Sequence, residues 1–366
     1  MSGIDLVMIV RDEARCLERC LASARPWVDA MLVLDTGSVD ATVEIALRAG
    51  ARVARFDWVD DFAAARNAAL ALSVAPWRLV LDADEWIAEG GESLAALRAE
   101  PAGFLGQVRV ASAFDAAGGA VEQAPSWLPR VLPRGVTYAG RIHEQPASDL
   151  PRRRLPLVIG HDGYLDAQKA AKAGRNERLL GLALAADPGD AYLHYQLGKD
   201  LELGARFAAA EPHYLLALER CDARAGWRHD LLLRTLFTLK KLGRFEQAMA
   251  LAEAEMPRWL GSPDFFFTLG DLLLDWAVAR PEHAAALLPM IESSWLKAIE
   301  IGEQPELQDT VRGRGSFLAA HNLAVFHSSL GADTEAERWR GREAAFRAAL
   351  PAARPPVPAE PVHPVA

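Results

Sequence analysis

A chain of 366 residues, 51% hydrophobic and 24% charged, is long enough for two globular domains of ordinary size. Its formal charge of −9 argues against a nucleic-acid carrier, because a phosphate backbone selects a basic surface. Three cysteines (Cys16, Cys20 and Cys221) fit a reducing cytosol, and no run approaches the ~18 apolar residues that a membrane span needs, so the expected location is cytoplasmic.

The first part alternates strand and helix. Leu6–Val10 reads as a strand and Glu13–Ala24 as a helix, with Leu17 and Leu21 on one face and Cys16 and Cys20 as small buried residues. Met31–Leu34 is apolar on both faces, as in a buried parallel strand, and Asp40 is placed to cap a helix over 40–49. Residues 51–56 form a short strand, 62–72 an Ala-rich helix and 78–81 another strand, which together predict right-handed β-α-β units. Leu105–Val110 and Leu128–Val136 follow without helices between them, so antiparallel additions are expected. Residues 155–160 contain Pro156 and read as an edge strand. Arg152, Arg153 and Arg154, bounded by prolines, read as a solvated loop or as neighbours of anionic phosphates.

After Tyr164 the periodicity turns helical and repeats. Leu197-Gly198, Ala210, Tyr214 and Ala217 fall at the small and large positions of a tetratricopeptide unit. Gly243, Phe245 and Ala248 mark a second unit, Leu269-Gly270, Trp295 and Ala298 a third, and Leu323-Ala324, Gly331 and Ala336 a fourth. Such units stack into a solenoid with an extended face, on whose inner helices Tyr195 and His194 are expected to be exposed. His194, His213, His229 and His327 need no function there. The last 16 residues are Pro/Ala-rich and read as a disordered tail.

Two strands end in acidic loops, LVLDTGSVD (32–40) and RLVLDADEW (78–86). Ligands of open α/β sheets bind beyond the carboxyl ends of strands, so Asp35, Asp82 and Asp84 sit where a nucleotide and its metal would be held. The Asp82-x-Asp84 spacing, followed by Glu85, offers hard oxygen ligands to Mg²⁺ or Mn²⁺ bridging a diphosphate.

VMIVRDEARCLERCLAS, LVLDTGSVDATVEIA, DWVDDFAAARNAAL, LVLDADE, GRIHE and HDGY, in this order and before tetratricopeptide helices, resemble the bacterial family 2-type glycosyltransferases of the GT-A fold. The subgroup with C-terminal repeats includes sublancin-type peptide S-glycosyltransferases, and lipopolysaccharide-core glucosyltransferases are similar in length. The resemblance implies a Rossmann-like, mostly parallel GT-A domain over 1–165, an all-α repeat domain over 166–350 and a tail over 351–366.

It also implies roles for particular residues. Val10, Arg11 and Glu13 would reach base and ribose. Asp35 would accept the uracil N–H, with Gly37 and Ser38 shaping its turn. Arg66 and Asn67 match an Ala-Arg-Asn element beside the diphosphate. Asp82, with Ala83, would hold the ribose or a metal-bound water, and Asp84 the metal. Glu144 stands where related enzymes present an acidic base, but the family ends this motif in Glu-Asp, so either His143 or Glu144 could act. His161 resembles an imidazole metal ligand. Arg130 and Arg134 read as contacts to diphosphate or acceptor, or as a solvated hairpin. The implied function is a metal-dependent, inverting transfer from a UDP-sugar to a peptide or protein. The alternatives are a lipopolysaccharide or lipid-linked glycan acceptor, with the repeats serving a homodimer, and a non-catalytic repeat scaffold.

Overall fold

A computed structural model of the chain describes residues 3–115, 121–162, 174–307 and 310–349; the Gly163-Tyr164 end of HDGY, the boundary expected near 165 and the Pro/Ala-rich tail lie outside them. The chain divides into two compact units. One comprises Met1–Ala248 with Glu306–Thr310, and the other comprises Met249–Pro305 and the residues from Val311 onward.

The first unit begins with β1 (Ile4–Val10), α1 (Leu17–Ala24), β2 (Ala30–Asp35), α2 (Thr42–Arg48), β3 (Arg52–Arg55), α3 (Phe62–Ala71) and β4 (Trp77–Val80). There follow β5 (Glu85–Glu89), α4 (Ser93–Leu97), β6 (Leu105–Asp115), β7 (Val121–Pro133), β8 (Thr137–Ala139), β9 (Gln145–Ala147) and β10 (Arg152–His161). Eight strands form one sheet in the order β3-β2-β1-β4-β7-β6-β10-β5, and β8 and β9 pair as a separate hairpin. β3, β2, β1 and β4 run parallel, whereas β7 runs antiparallel to both β4 and β6, as the lack of helices there predicts.

The sheet is covered on both faces: β1 turns Ile4, Leu6, Met8 and Val10 to one and Asp5, Val7 and Ile9 to the other. Ile4, Leu6, Met8 and Val10 join one core with Leu17 and Leu21 of α1 and Ile45 of α2. Val7 joins the other, with Leu32, Leu34 and the Ala63, Ala69 and Leu70 surface of α3. Each fully buried leucine contributes about 1.5–3 kcal/mol of transfer free energy.

Three expectations change. β10 is an interior strand, lying between β6 and β5, and β5 is the edge on that side. Pro156 is tolerated there because the ladder to β6 skips from Arg154 to Val158, so its missing N–H costs no sheet hydrogen bond. Arg152, Arg153 and Arg154 open that strand rather than a loop. Arg153 pairs with Glu100 at 2.7 Å over the Phe104 ring, and Arg154 pairs with Glu306 over the Trp127 ring. α1 starts at Leu17 instead of Glu13, since the N–H groups of Asp12, Glu13 and Ala14 donate to Ser38, Thr42 and Asp40 across the neighbouring loop.

The remaining helices of this unit are α5 (Arg175–Ala186), α6 (Ala191–Leu203), α7 (Phe207–Arg220) and α8 (Arg228–Lys241), and α9 (Phe245–Glu255) begins in it. α6 and α7 close on each other where the small and large residues meet: a Cβ on Gly198 would stand 2.5 Å from the Tyr214 ring. Tyr195 and His194 are buried, not exposed. The Tyr195 hydroxyl donates to Asp230 at 2.5 Å, and His194 meets His213 at 2.8 Å. The second unit contains α10 (Pro263–Ala279), α11 (Ala284–Ile301), α12 (Phe317–Ser329) and α13 (Asp333–Ala348). Gly270 lies under Trp295 there as Gly198 lies under Tyr214. Among the described residues no helix is long and apolar enough to cross a membrane.

Candidate active site

The loops after β1 and β2 are laced together by polar side chains. Val10 pairs with Asp35 at the strand ends, and its carbonyl accepts from both the N–H and the hydroxyl of Thr36, at 2.9 and 3.0 Å. Asp35 is 1% exposed and accepts the Ser38 N–H at 3.0 Å around Gly37, whose φ of +109° suits glycine. Ser38 in turn accepts the Asp12 N–H. Arg11 is exposed, and the Glu13 carboxylate accepts from the Cys16 thiol at 3.2 Å. These six expected residues therefore share one strand-end platform.

Beyond β4 an alternating chain of charges runs through the site. Arg66, on α3 and 7% exposed, donates to Asp82 at 2.6 Å and to Glu144. Arg130, on β7, donates to the other Asp82 oxygen at 3.0 Å and to Glu85. Glu85 closes the loop by accepting the Asp82 N–H at 2.9 Å. Burial opposes ionisation of Asp82, but Arg66 and Arg130 outweigh it and hold the carboxyl well below its usual range. Burial pushes the Glu85 carboxyl up in spite of Arg130. For Arg66 burial disfavours the cation, yet Asp82 and Glu144 prevail.

Asp84 is buried, with a carboxylate oxygen 3.5 Å from His161 Nε2. Burial disfavours the imidazolium, but the hydrogen bond and charge of Asp84 raise its pKa. A hard oxygen and an imidazole nitrogen at a strand end fit a divalent cation. Among the described residues no group of three or more His, Cys, Asp or Glu side chains could hold one, so the rest of its shell would fall to donor oxygens and water.

Three expected residues have structural surroundings. Asn67 holds Tyr138 at both backbone groups, donating to its carbonyl at 2.9 Å and accepting its N–H at 2.7 Å. Ala83 belongs to the apolar core. Arg134 points to the Val74 carbonyl. Sequence reasoning missed Arg15 and Arg19, which hold Asp162 at 3.2 and 2.7 Å; their i,i+4 spacing within the helix predicted over 13–24 was the available signal.

The turn bearing His143 and Glu144 is tied to the start of α3: the Arg141 carbonyl accepts the Phe62 N–H, and its guanidinium donates to the Asp60 carbonyl, each at 2.8 Å. Asp60 also pairs with Arg178 of α5, and Gln145 donates to the Tyr192 hydroxyl of α6 at 3.4 Å. His143 has φ +52°, an uncommon conformation for a side-chain-bearing residue and one that surrounding structure must enforce.

Burial, reinforced by Lys199, pulls the His143 pKa down to about 4, so the ring is neutral at pH 7. An unfolded chain takes up this proton near pH 6.5. Unfolding therefore binds protons as pH falls from about 6.5 to 4, and the folded state loses stability over that window. His143→Asn, which tolerates positive φ, should flatten this part of the pH dependence of the urea midpoint measured between pH 7 and 5. Equal slopes for variant and wild type would refute it.

Comparison with known proteins identifies the family. Residues 5–133 match the model for glycosyl transferase family 2. A TPR repeat-containing protein of Synechococcus elongatus is 33% identical over 310 residues, covering 78% of this chain and 76% of that protein. The SPbeta prophage-derived glycosyltransferase SunS of Bacillus subtilis is 25% identical over 210 residues, 54% of this chain and 48% of its own length. Among solved structures, MamA from Desulfovibrio magneticus RS-1 is 14% identical with a TM-score of 0.37, covering 50% of this chain and 91% of that one. The fold is that of a GT-A-type domain followed by helical repeats. The chain belongs to the family 2 glycosyltransferases that carry tetratricopeptide repeats.

Proposed function

We propose that the protein is a divalent-metal-dependent, inverting glycosyltransferase that uses a UDP-sugar and glycosylates a peptide or protein, with a catalytic domain over 1–165 and acceptor-binding repeats over 166–350. The observation that carries this reading is the line Glu85–Arg130–Asp82–Arg66–Glu144 at the strand ends, with Asp84 and His161 beside it. Asp35 and the Arg11–Glu13 loop would take uracil and ribose. Arg66 and Arg130 would reach the diphosphate, a task suited to guanidinium donors. Asp84 and His161 would hold Mg²⁺ or Mn²⁺, which when bound neutralises charge on the leaving diphosphate.

Glu144 is the proposed base. The acceptor's heteroatom attacks the anomeric carbon, its proton passes to Glu144 and the nucleoside diphosphate departs. Arg66 holds that carboxylate in place, and a single base on the attacking side suits inversion. Contacts of the first repeat helices with the same region, Gln145 to Tyr192 and Asp60 to Arg178, support an acceptor that lies against those helices, and repeat surfaces of this kind bind extended chains.

Hydrolysis of UDP-glucose without acceptor should require Mg²⁺ or Mn²⁺, stop in EDTA and fail in Asp84→Ala. Undiminished activity in chelator sinks the metal assignment. Mass spectrometry of products from a panel of UDP-sugars and peptides tests the acceptor class, and transfer to glycolipid alone would replace the peptide reading.

A further inference from the structure

Arg15 and Arg19 converge on one carboxylate. Arg15 donates to both oxygens of Asp162, at 3.2 and 3.3 Å, and Arg19 donates to one of them at 2.7 Å. The two arginine side chains are 46% and 44% exposed, and exposed ion pairs add little stability. Their charge also opposes the site beside them: Asp162 follows His161, and two cations next to a divalent ion weaken its binding. The role that accounts for them is geometric.

Arg19 lies on α1 and Arg15 just before it, and α1 is tied to both halves of the site. The loop before it is held by Ser38, Asp40 and Thr42. Further along, the Cys20 thiol donates to the Asp82 carbonyl at 3.5 Å, and the Ser23 hydroxyl accepts the Ile87 N–H at 3.0 Å. The Arg19 guanidinium also lies 3.8 Å from the centre of the Trp86 ring. That ring packs on the backbone of β10, where a Cβ on Gly160 would stand 2.4 Å from it. His161 is thus flanked by two gripped residues, Gly160 against Trp86 and Asp162 between the arginines. Its own backbone pairs with Glu85, and the Asp162 N–H donates to the Asp84 carbonyl at 3.4 Å. We propose that Arg15 and Arg19 are positioning residues: by clamping Asp162 they hold the end of β10 so that the His161 imidazole and the Asp84 carboxylate stand together for the divalent cation. The proposal rests on the metal-dependent reading and adds to it the anchor, on α1, that sets the ligand geometry. Groups that orient metal ligands are commonly worth about ten- to a hundredfold in metal affinity.

The test uses the full chain and opens the clamp without touching a ligand. Mn²⁺ uptake at saturating UDP is followed by loss of the free-Mn²⁺ electron paramagnetic resonance signal, in wild type and in the Arg15→Gln/Arg19→Gln double variant. UDP is also titrated without metal. Charge alone predicts tighter Mn²⁺ binding by the variant, since two cations are gone. The clamp predicts the opposite sign, a Mn²⁺ affinity about ten- to a hundredfold lower, with metal-free UDP affinity within about twofold of wild type. Mn²⁺ affinity that is unchanged or higher overturns the proposal. So does a metal-free UDP affinity that falls as far as the Mn²⁺ affinity, which marks general damage to the strand-end platform. Asp162→Ala, which removes the other half of the clamp, should lose at least as much Mn²⁺ affinity, and wild-type uptake by that variant also overturns the proposal. Wild type that binds UDP but takes up no Mn²⁺ overturns the metal reading itself, and this proposal with it.

Discussion

Glu144→Gln should retain UDP binding and lose sugar transfer, with turnover falling on the order of 10²–10⁴-fold, the usual scale for a missing general base. The amide keeps the shape of the side chain and an oxygen that can still accept from Arg66 Nε, as the carboxylate does. It cannot take the acceptor's proton. Initial rates with an acceptor that wild type uses, set beside UDP titrations, separate the two effects: a loss in kcat with donor affinity preserved marks an interaction needed only in the transition state. Transfer near the wild-type rate would remove Glu144 from the role. His143 is the next candidate, since its ring is neutral at pH 7 and its buried Nε2 has no hydrogen-bond partner among the described residues. Asp162 is a poorer one, because Arg15 and Arg19 outweigh its burial and hold its pKa below the usual range.

Arg66→Met should cost stability as well as activity. Methionine fills much of the same volume but leaves Glu144, whose side chain is 10% exposed, without the guanidinium beside it. Breaking a buried ion pair from one side costs about 3–5 kcal/mol. The lower end is expected here, because Asp82 keeps Arg130 and its side chain is 37% exposed. Urea unfolding at pH 7 gives the value, and UDP affinity should fall with it. A second substitution, Glu144→Gln on the Arg66→Met background, should restore part of the stability by removing the stranded charge. Additive losses would show that the two side chains do not act as a pair.

The amino-acid sequence by itself determined the alternating strands and helices of the parallel half of the sheet and the repeats; it did not mark β5, α4 or the β8–β9 hairpin. What it determined is written in local patterns: strand runs such as Met31–Leu34 apolar on both faces, and small residues such as Gly198 and Gly270 spaced to meet Tyr214 and Trp295. It also placed Asp35, Asp82 and Asp84 at strand ends, since a strand's end is where its apolar run stops. What it could not assign was which charge meets which. Arg66 lies 16 residues from Asp82 and 78 from Glu144, and Arg130 lies 48 from Asp82. Those pairs exist only because β7 lies beside β4 and the turn before β9 is tied to the start of α3. The interior position of β10, the late start of α1 and the burial of the Tyr138 hydroxyl were decided in the same way, by neighbours distant in sequence. Periodicity reports how an element buries one face. The partner that satisfies a polar atom depends on the order in which the chain returns to the sheet, and only the tertiary structure records that order.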